Sequence, residues 1–243
     1  MTWVVAHVNS IPSLKACDIA RLRWAGASTS GMAFTRPPDE KSVGWLFAAP
    51  ATGSDKSSRV VGFEMSFSPM LSVLAATFAT GSECLDTVVA AHDAAVDRTL
   101  ALWERHATAV RLDIGAGVEW CPAVGLVAIA NAETSGERRT VRSRVYVPAK
   151  APALHDALWR PLVVERFLDW QQYGWDEYHQ ALAEGLNSAL GWEFEYRDTA
   201  RTPWGSPTLE LAEVAEPRIG ALIRPALRAL AGGPTTGAAA RAY

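Results

Sequence analysis

Four arginines fall within one short stretch of the chain, namely Arg138, Arg139, Arg142 and Arg144. The valine-rich stretch 140–147 is predicted to be a β-strand, and successive side chains of a strand point to opposite faces. Arg142 and Arg144 should therefore share one face, and the neighbouring valines the other. A guanidinium is permanently charged and presents a fork of donors that suits phosphate. The spacing predicts a phosphate-binding strand face, extended by Arg138 and Arg139.

The same arginines have a second interpretation, in which they form ion pairs with acidic side chains or are simply solvated. The formal net charge is -3 and the pI is about 6.0. The protein therefore has no long-range positive field that would attract nucleic acid. Both interpretations stay open at this point, and they predict different effects of the same substitution.

Other catalytic or metal-binding patterns are missing from the sequence. None of the five histidines pairs with another at a spacing typical of metal ligands. The three cysteines, Cys17, Cys84 and Cys121, form no zinc or redox motif and are predicted to be buried free thiols in a reducing cytoplasm. No phosphate-binding glycine loop and no nucleophile elbow occurs. The residues alone predict neither a cofactor nor a metal.

The chain has 243 residues, of which 49% are hydrophobic, and this is enough for one large domain with a substantial core. Hydrophobic periodicity predicts strands at 2–8, 59–67, 109–114, 126–132 and 140–147, and a hairpin from 192–196 and 208–211. The first strand is predicted near the centre of the sheet because both of its faces are largely apolar. No run of residues has the length and apolarity of a membrane span.

Helices are predicted at 13–24, from Pro69 onward, from Ser82 to Trp103, within 153–190 and at 216–230. The third helix carries an apolar stripe that should pack on the sheet. Residues 25–58 are rich in Gly, Ser, Thr and Pro and are predicted to be mostly loop. This order of elements favours an α+β fold with a mainly antiparallel central sheet flanked by helices. We predict a single domain over residues 1–231 and a disordered tail at 232–243.

Four motifs follow one another along the chain: GFEMSFSPMLSVLAA (62–76), AHDAAVDRTLALWE (91–104), GLVAIANAETS (125–135) and RSRVYV (142–147). In this order they resemble conjugative relaxases of the MobF class (the TrwC/TraI type), members of the HUH endonuclease superfamily. A later stretch, YHQALAEGLNSALGWEFEY (178–196), is similar to the same family. The resemblance spans roughly residues 60–215, whereas residues 1–58 match it poorly. It implies a relaxase-like domain.

The resemblance also implies a chemistry whose residues this sequence lacks. Family members cut one DNA strand with a tyrosine near the N-terminus, and three histidines hold a divalent ion on the scissile phosphate. Here the first tyrosine is Tyr146. The three histidine positions of the family correspond to Ala132, Arg142 and Arg144. The family's lysine position corresponds to Leu71, and its aspartate position to Glu64. Because a guanidinium has no lone pair to donate, the comparison predicts that no metal is bound.

In the sheet arrangement that the family implies, Glu64 and Glu133 are the candidate ion-pair partners of the arginines. We therefore expect a catalytically inactive, cytoplasmic relaxase-like protein of plasmid or mobile-element biology. Its expected partners are single-stranded DNA, an intact relaxase or another transfer protein. No membrane is expected among its partners. One alternative is a protein-interaction module on the same scaffold that binds no DNA. Another is a nuclease with an atypical nucleophile (Ser66, Ser68 or Ser72), which no nearby histidine, lysine or metal would activate.

Overall fold

The computed structural model describes residues 2–4, 22–25, 36–48, 61–80, 84–113, 118–135, 140–201 and 207–212. The helices in these ranges are α1 (Glu40–Leu46), α2 (Leu71–Thr80), α3 (Leu85–His106), α4 (Val164–Asp169) and α5 (Gln171–Leu190). The strands are β1 (Thr2–Val4), β2 (Leu22–Ala25), β3 (Gly62–Phe67), β4 (Ala109–Asp113), β5 (Val118–Pro122), β6 (Ala128–Ser135), β7 (Thr140–Pro148), β8 (Lys150–Pro152), β9 (Trp159–Pro161), β10 (Phe194–Arg201) and β11 (Pro207–Leu211). No described helix is long and apolar enough to cross a membrane.

A five-stranded antiparallel sheet forms the centre of the molecule, with the strand order β1-β3-β7-β6-β2. Three two-stranded ladders, β4 with β5, β8 with β9 and β10 with β11, lie outside it. This arrangement of helices with an antiparallel sheet confirms the predicted α+β class. The predicted strands at 59–67, 126–132 and 140–147 and the terminal hairpin are all present, with ends shifted by a few residues.

The main hydrophobic core lies between one face of the sheet and the pair formed by α3 and α5. Its largest fully buried side chains include Trp103 of α3, Tyr178 of α5 and Phe67 of β3, and the Phe67 ring contacts both of the other rings. The two helices approach closely at Gly174, where an added Cβ would lie 2.2 Å from the Trp103 ring. The predicted apolar stripe of α3 is confirmed, because Val88, Val96, Leu100 and Trp103 are all buried.

The other face of the sheet is partly covered by α1, which lies inside the region predicted to be mostly loop. That prediction is wrong for residues 40–46. The helix begins after Asp39, whose carboxylate accepts a hydrogen bond of 2.7 Å from the Ser42 N–H, while the Ser42 hydroxyl accepts one of 3.1 Å from the Asp39 N–H. This capping box satisfies backbone donors that would otherwise be unpaired. Pro37 and Pro38 stand just before it.

Two N-terminal predictions are also corrected. The strand predicted near the sheet centre at 2–8 is described only as Thr2–Val4, and it lies at the sheet edge. The centre belongs to the nine-residue β7, which pairs along both of its sides. The helix predicted at 13–24 is wrong at its end, since Leu22–Ala25 form a strand that pairs with β6. Pairing with a sheet here overrides the local helical pattern.

The helical prediction for 153–190 holds only from Val164 onward. Before it, β8 and β9 form a short hairpin, and Pro161 lacks the backbone donor that a helix interior needs. The strand β5 was not predicted. The Cys17 position, the helix predicted at 216–230 and the tail at 232–243 lie outside the described residues. The single-domain boundary 1–231 stays a prediction.

Candidate functional site

Arg142 and Arg144 lie on the same face of β7, as the alternation of strand side chains requires. On one side they neighbour β3, where Glu64 pairs with Tyr146 and Ser66 pairs with Arg144. Directly opposed residues of antiparallel strands point to the same side of the sheet. Glu64 and Ser66 therefore share a face with the two arginines.

The strand on the other side, β6, contributes Asn131 and Glu133 to this face, because they lie opposite the two arginines in the register. Ala132 lies opposite Ser143 and so points to the other face of the sheet. The structure therefore does not bring Ala132 together with the arginines, although the family alignment placed a histidine position there. The alternation of side chains along β6 would have identified Asn131 and Glu133, and not Ala132, as the β6 residues that share a face with the arginines.

We call this surface the arginine face and define it as Glu64, Ser66, Asn131, Glu133, Arg142 and Arg144. It is bounded at one end by α1. Tyr146, the next residue of β7 on this face, is fully buried against Val43 and Phe47 of the helix region. Ile129 of β6 is likewise buried in the cluster that contains Leu46. The apolar end of the face is thus closed by α1, and the polar residues lie beyond it.

Arg144 is held between two carboxylates. Its Nε lies 3.0 Å from Oε1 of Glu133 and 3.8 Å from Oε1 of Glu64, and 28% of its side chain is exposed. Partial burial opposes the charge, but Glu133, Glu64 and Tyr146 together outweigh it and raise the pKa of Arg144 above its ordinary value. The ion-pair interpretation therefore describes Arg144.

Arg142 has a different environment. Its Nε donates a hydrogen bond of 2.6 Å to the hydroxyl of Ser66, which is buried. A hydroxyl is a neutral partner and does not offset the charge of the guanidinium. The two arginines are therefore not equivalent: carboxylates balance Arg144, whereas a hydroxyl orients Arg142.

Among the described residues, the predicted site residue Leu71 is not brought into this cluster. Leu71 is the first residue of α2 and lines a cavity of about 180 Å³ with Trp175 and His179. Ser68, in the same cavity, contacts the Val141 carbonyl oxygen at 3.4 Å. Arg138 and Arg139 lie outside the described residues.

The three candidate serine nucleophiles have hydrogen-bonded hydroxyls. Ser66 accepts from Arg142, and Ser68 contacts a backbone carbonyl. The Ser72 hydroxyl contacts the Glu210 carboxylate and accepts from the Leu211 N–H at 3.1 Å. These four contacts hold the serines in place, and none of the four joins a serine to a histidine.

A second polar cluster lies under the sheet, on the face that α3 and α5 cover. His92 of α3 is buried, with Nδ1 2.7 Å from the Tyr178 hydroxyl and Nε2 2.9 Å from the Ser143 hydroxyl. Burial, with a smaller contribution from Arg23, lowers the pKa of His92 to about 4. The ring is therefore neutral at pH 7. It joins α3, α5 and β7 and is inaccessible to a substrate.

A family model described as TrwC relaxase matches residues 13–222, which is most of the chain. The chain belongs to the TrwC relaxase family. The match confirms the resemblance carried by the four motifs. No curated protein matches the sequence.

Solved structures of TrwC share the fold at low sequence identity. The metal-bound conjugative relaxase TrwC in complex with oriT DNA has a TM-score of 0.71 at 18% identity, over 98% of this chain and 86% of that one. The metal-free complex with oriT DNA gives 0.72 at 18% identity, with the same coverage. TrwC complexed with a 27-mer DNA comprising the recognition hairpin and the cleavage site gives 0.67 at 19%, over 98% and 85%.

The residues of this TrwC-family chain do not fit the divalent ion that the family implies. Two of the expected histidine positions carry Arg142 and Arg144, which cannot donate a lone pair and would repel a cation. Two carboxylates are present on the same face, but Arg144 lies between them. Across the described ranges, no three His, Cys, Asp or Glu side chains converge as a metal site.

Proposed function

We propose that this member of the TrwC relaxase family binds single-stranded DNA on the arginine face and does not cleave it by the metal-dependent route. The observation that carries the proposal is the placement of Arg142 and Arg144 on the face that also holds Glu64. The family resemblance assigns metal chemistry to those positions. The similar TrwC structures contain DNA, which is oriT DNA in two of them and a 27-mer with the recognition hairpin and the cleavage site in the third, and this supports DNA as the ligand class.

Arg142 is the residue that we expect to contact phosphate. The Ser66 hydroxyl orients its Nε without neutralising it, and a guanidinium fork binds phosphate oxygens with charge-assisted hydrogen bonds. Arg144 is balanced by Glu64 and Glu133, so it has less net charge to offer. Its role in the proposal is to hold the two carboxylates away from an incoming phosphate.

Binding should depend on salt in a way that separates the two arginines. Each phosphate neutralised in single-stranded nucleic acid contributes a slope of about 0.7 to the plot of log affinity against log salt. Arg142→Gln should lower the slope by about that amount, whereas Arg144→Gln should lower it less. The measurement is the affinity for a short labelled single strand at several salt concentrations.

Arg98→Gln is the matched control, because it removes the same charge from α3, where Arg98 pairs with Glu177 and Glu184. It should leave the slope unchanged. Equal slopes for the wild type, Arg142→Gln and the double variant Arg142→Gln/Arg144→Gln would contradict DNA binding on this face. They would favour the alternative interaction module, for which the carboxylate-balanced Arg144 is the supporting observation.

The absence of metal-dependent cleavage is a separate expectation. With Mg²⁺ or Mn²⁺ present, the protein should neither nick supercoiled plasmid nor cut a single strand, because the arginines cannot hold the ion that polarises the phosphate. Elemental analysis of the purified protein should find far less than one divalent ion per chain. Covalent attachment to a cleaved DNA end would refute this part of the proposal while leaving binding intact.

A further inference from the structure

A chain of polar contacts involving a cysteine, a histidine and an aspartate lies apart from the arginine face. The Sγ atom of Cys121 in β5 is 3.8 Å from Nδ1 of His155. The other ring nitrogen, Nε2 of His155, is 3.1 Å from Oδ2 of Asp156. Cys121 is partly exposed and His155 is about half exposed, at 51% of its side chain. The prediction that Cys84 and Cys121 are buried is therefore wrong, because both are partly exposed, although Cys121 also packs against the main core.

The backbone holds these residues together. Residues 154–158 form an exposed turn between β8 and β9, and it is tied to the end of β5. The Leu154 N–H donates to the Pro122 carbonyl oxygen at 3.0 Å, and Ala123 and Ala153 form a β-bridge. The turn is closed by a hydrogen bond of 2.9 Å from the Ala157 N–H to the Ala153 carbonyl oxygen. His155 is thereby positioned beside the thiol of the neighbouring strand.

Asp156 is itself fixed and ionised. Arg160 donates to both of its carboxylate oxygens, at 2.8 and 2.7 Å, and the Leu158 N–H donates to Oδ1 at 3.0 Å. The bonds from Arg160 are the main cause that lowers the pKa of Asp156. A fixed carboxylate beside Nε2 favours the ring in which that nitrogen carries the proton. Nδ1 is then free to accept a proton from the thiol.

The geometry is that of a relay and differs from that of a metal site. The ring of His155 uses one nitrogen for Cys121 and the other for Asp156, so the three groups do not converge on a common point. An imidazole that accepts the proton of a thiol leaves a thiolate, which is the nucleophilic form of cysteine. A base oriented in turn by a third group is the arrangement that activates nucleophiles in general.

We propose that Cys121 is a reactive thiol, activated by His155 with Asp156 and Arg160 as positioning residues, that exchanges with small disulfides. His155 takes the thiol proton at Nδ1, and the Sγ thiolate attacks one sulfur of the disulfide R–S–S–R. The new Sγ–S bond forms as the old S–S bond breaks, and the electron pair leaves with the thiolate R–S⁻. That thiolate then takes the proton from His155 or from solvent. Cys121 is thus oxidised to a mixed disulfide while the small disulfide is reduced.

The experiment uses 4,4′-dithiodipyridine at pH 7 and follows the release of thiopyridone. Substitutions Cys17→Ser and Cys84→Ser leave Cys121 as the single thiol. An unassisted cysteine is only a few per cent thiolate at this pH, so a neighbouring base that takes the thiol proton should speed the exchange. We therefore expect Cys121 to react roughly tenfold faster than N-acetylcysteine. His155→Gln in the same background should remove most of that difference.

His106→Gln is the matched control, because it removes another exposed imidazole, one that stacks on Trp170. It should leave the rate unchanged, and an unchanged melting temperature should show that each variant is folded. Mass spectrometry of the product should place the added thiopyridine on Cys121. A Cys121 rate equal to that of N-acetylcysteine, or the same rate before and after His155→Gln, would overturn the proposal.

Discussion

The two faces of β7 are made from alternate residues of one strand, yet they have different surroundings. On the helix-covered face, Val145 and Val147 are fully buried, and Ser143 contacts the buried ring of His92. On the arginine face, the side chains of Arg142 and Arg144 are partly exposed and contact Ser66, Glu64 and Glu133. One face is closed by packing. The other is a charged surface.

This contrast explains where the family resemblance holds and where it fails. The segment AHDAAV, residues 91–96, is similar to the family, and its His92 joins α3 to Tyr178 and Ser143 within the core. The departures at Arg142 and Arg144 fall on the other face. The motif residue His92 thus lies in the packed layer, whereas Arg142 and Arg144, where the resemblance predicts histidines, lie on the arginine face. A fold can therefore be shared when a site is not.

The largest effect on stability is expected from a substitution in the hydrophobic core between the sheet and helices α3 and α5. Leu100 of α3 is fully buried, so Leu100→Ala should lower the free energy of unfolding by about 2–5 kcal/mol through lost burial and a residual cavity. Leu168→Ala is the control, since that leucine on α4 is 47% exposed and should change the value by at most about 0.5 kcal/mol. Chemical denaturation measures both. Similar losses at the two positions would show that the buried face is misplaced.

Acid should destabilise the protein through His92. In the folded state its pKa is about 4, against the ordinary value of 6.5 for an exposed histidine. The unfolded chain therefore binds the proton first, so the stability contributed by the neutral ring is present above pH 6.5. It is lost as the pH falls from 6.5 toward 4. The loss from this one group approaches about 3 kcal/mol, since each pKa unit corresponds to about 1.4 kcal/mol.

Other titratable groups also shape the acid response and make a variant comparison necessary. Burial lowers the pKa of His179 to about 3, which adds to the loss, whereas burial raises the pKa of Asp93, which acts in the opposite direction. The test is the unfolding free energy from pH 7 to pH 4 for the wild type and for His92→Gln. The variant should show a weaker pH dependence. His106→Gln, at an exposed position, should keep the full dependence; if it and His92→Gln behave alike, the assignment fails.

The sequence predicts much of the fold because the spacing of hydrophobic residues indicates which face of a helix or strand is buried. The stripe of α3 through Val96, Leu100 and Trp103 is an example, and it lies where predicted. The helix α1 was missed because its segment is short and preceded by prolines, and because its Asp39 and Ser42 cap was outweighed by the surrounding loop-forming residues. For β2, pairing with β6 decided the structure, and such a contact is not visible in the local pattern.

For the site, strand alternation predicted that Arg142 and Arg144 share a face, and the pairing register shows this arrangement. The face of the sheet on which Ala132 lies could not be predicted from the family resemblance. An alignment anchored on residues 134–135 carries no information on which face of β6 is presented. A shift of one residue along a strand reverses the face. The relay at Cys121 was equally out of reach, because its members come from β5 and a turn more than thirty residues later.

Two arginines of the molecule, Arg144 and Arg98, each have two carboxylate partners. Arg144 lies near Glu64 and Glu133 with 28% of its side chain exposed, and Arg98 binds Glu177 and Glu184 with 47% exposed. Arg144→Gln would remove the positive charge that these two partly buried acids face, which costs about 1–3 kcal/mol. The surface pairs of Arg98 are screened by water, so Arg98→Gln should cost no more than about 1 kcal/mol.

Salt gives this comparison a second readout, because screening weakens exposed ion pairs more than partly buried ones. The melting temperature difference between Arg98→Gln and the wild type should shrink as sodium chloride is raised. The difference for Arg144→Gln should persist, because Glu64 is largely shielded, with 18% of its side chain exposed. Thermal unfolding of the three proteins at low and high salt makes the measurement. If the Arg144→Gln difference disappeared with salt while that of Arg98→Gln remained, the carboxylates around Arg144 would be solvated. The arginine face would then lack the internal ion pairs that distinguish Arg144 from Arg142, and both arginines would be equally available to phosphate.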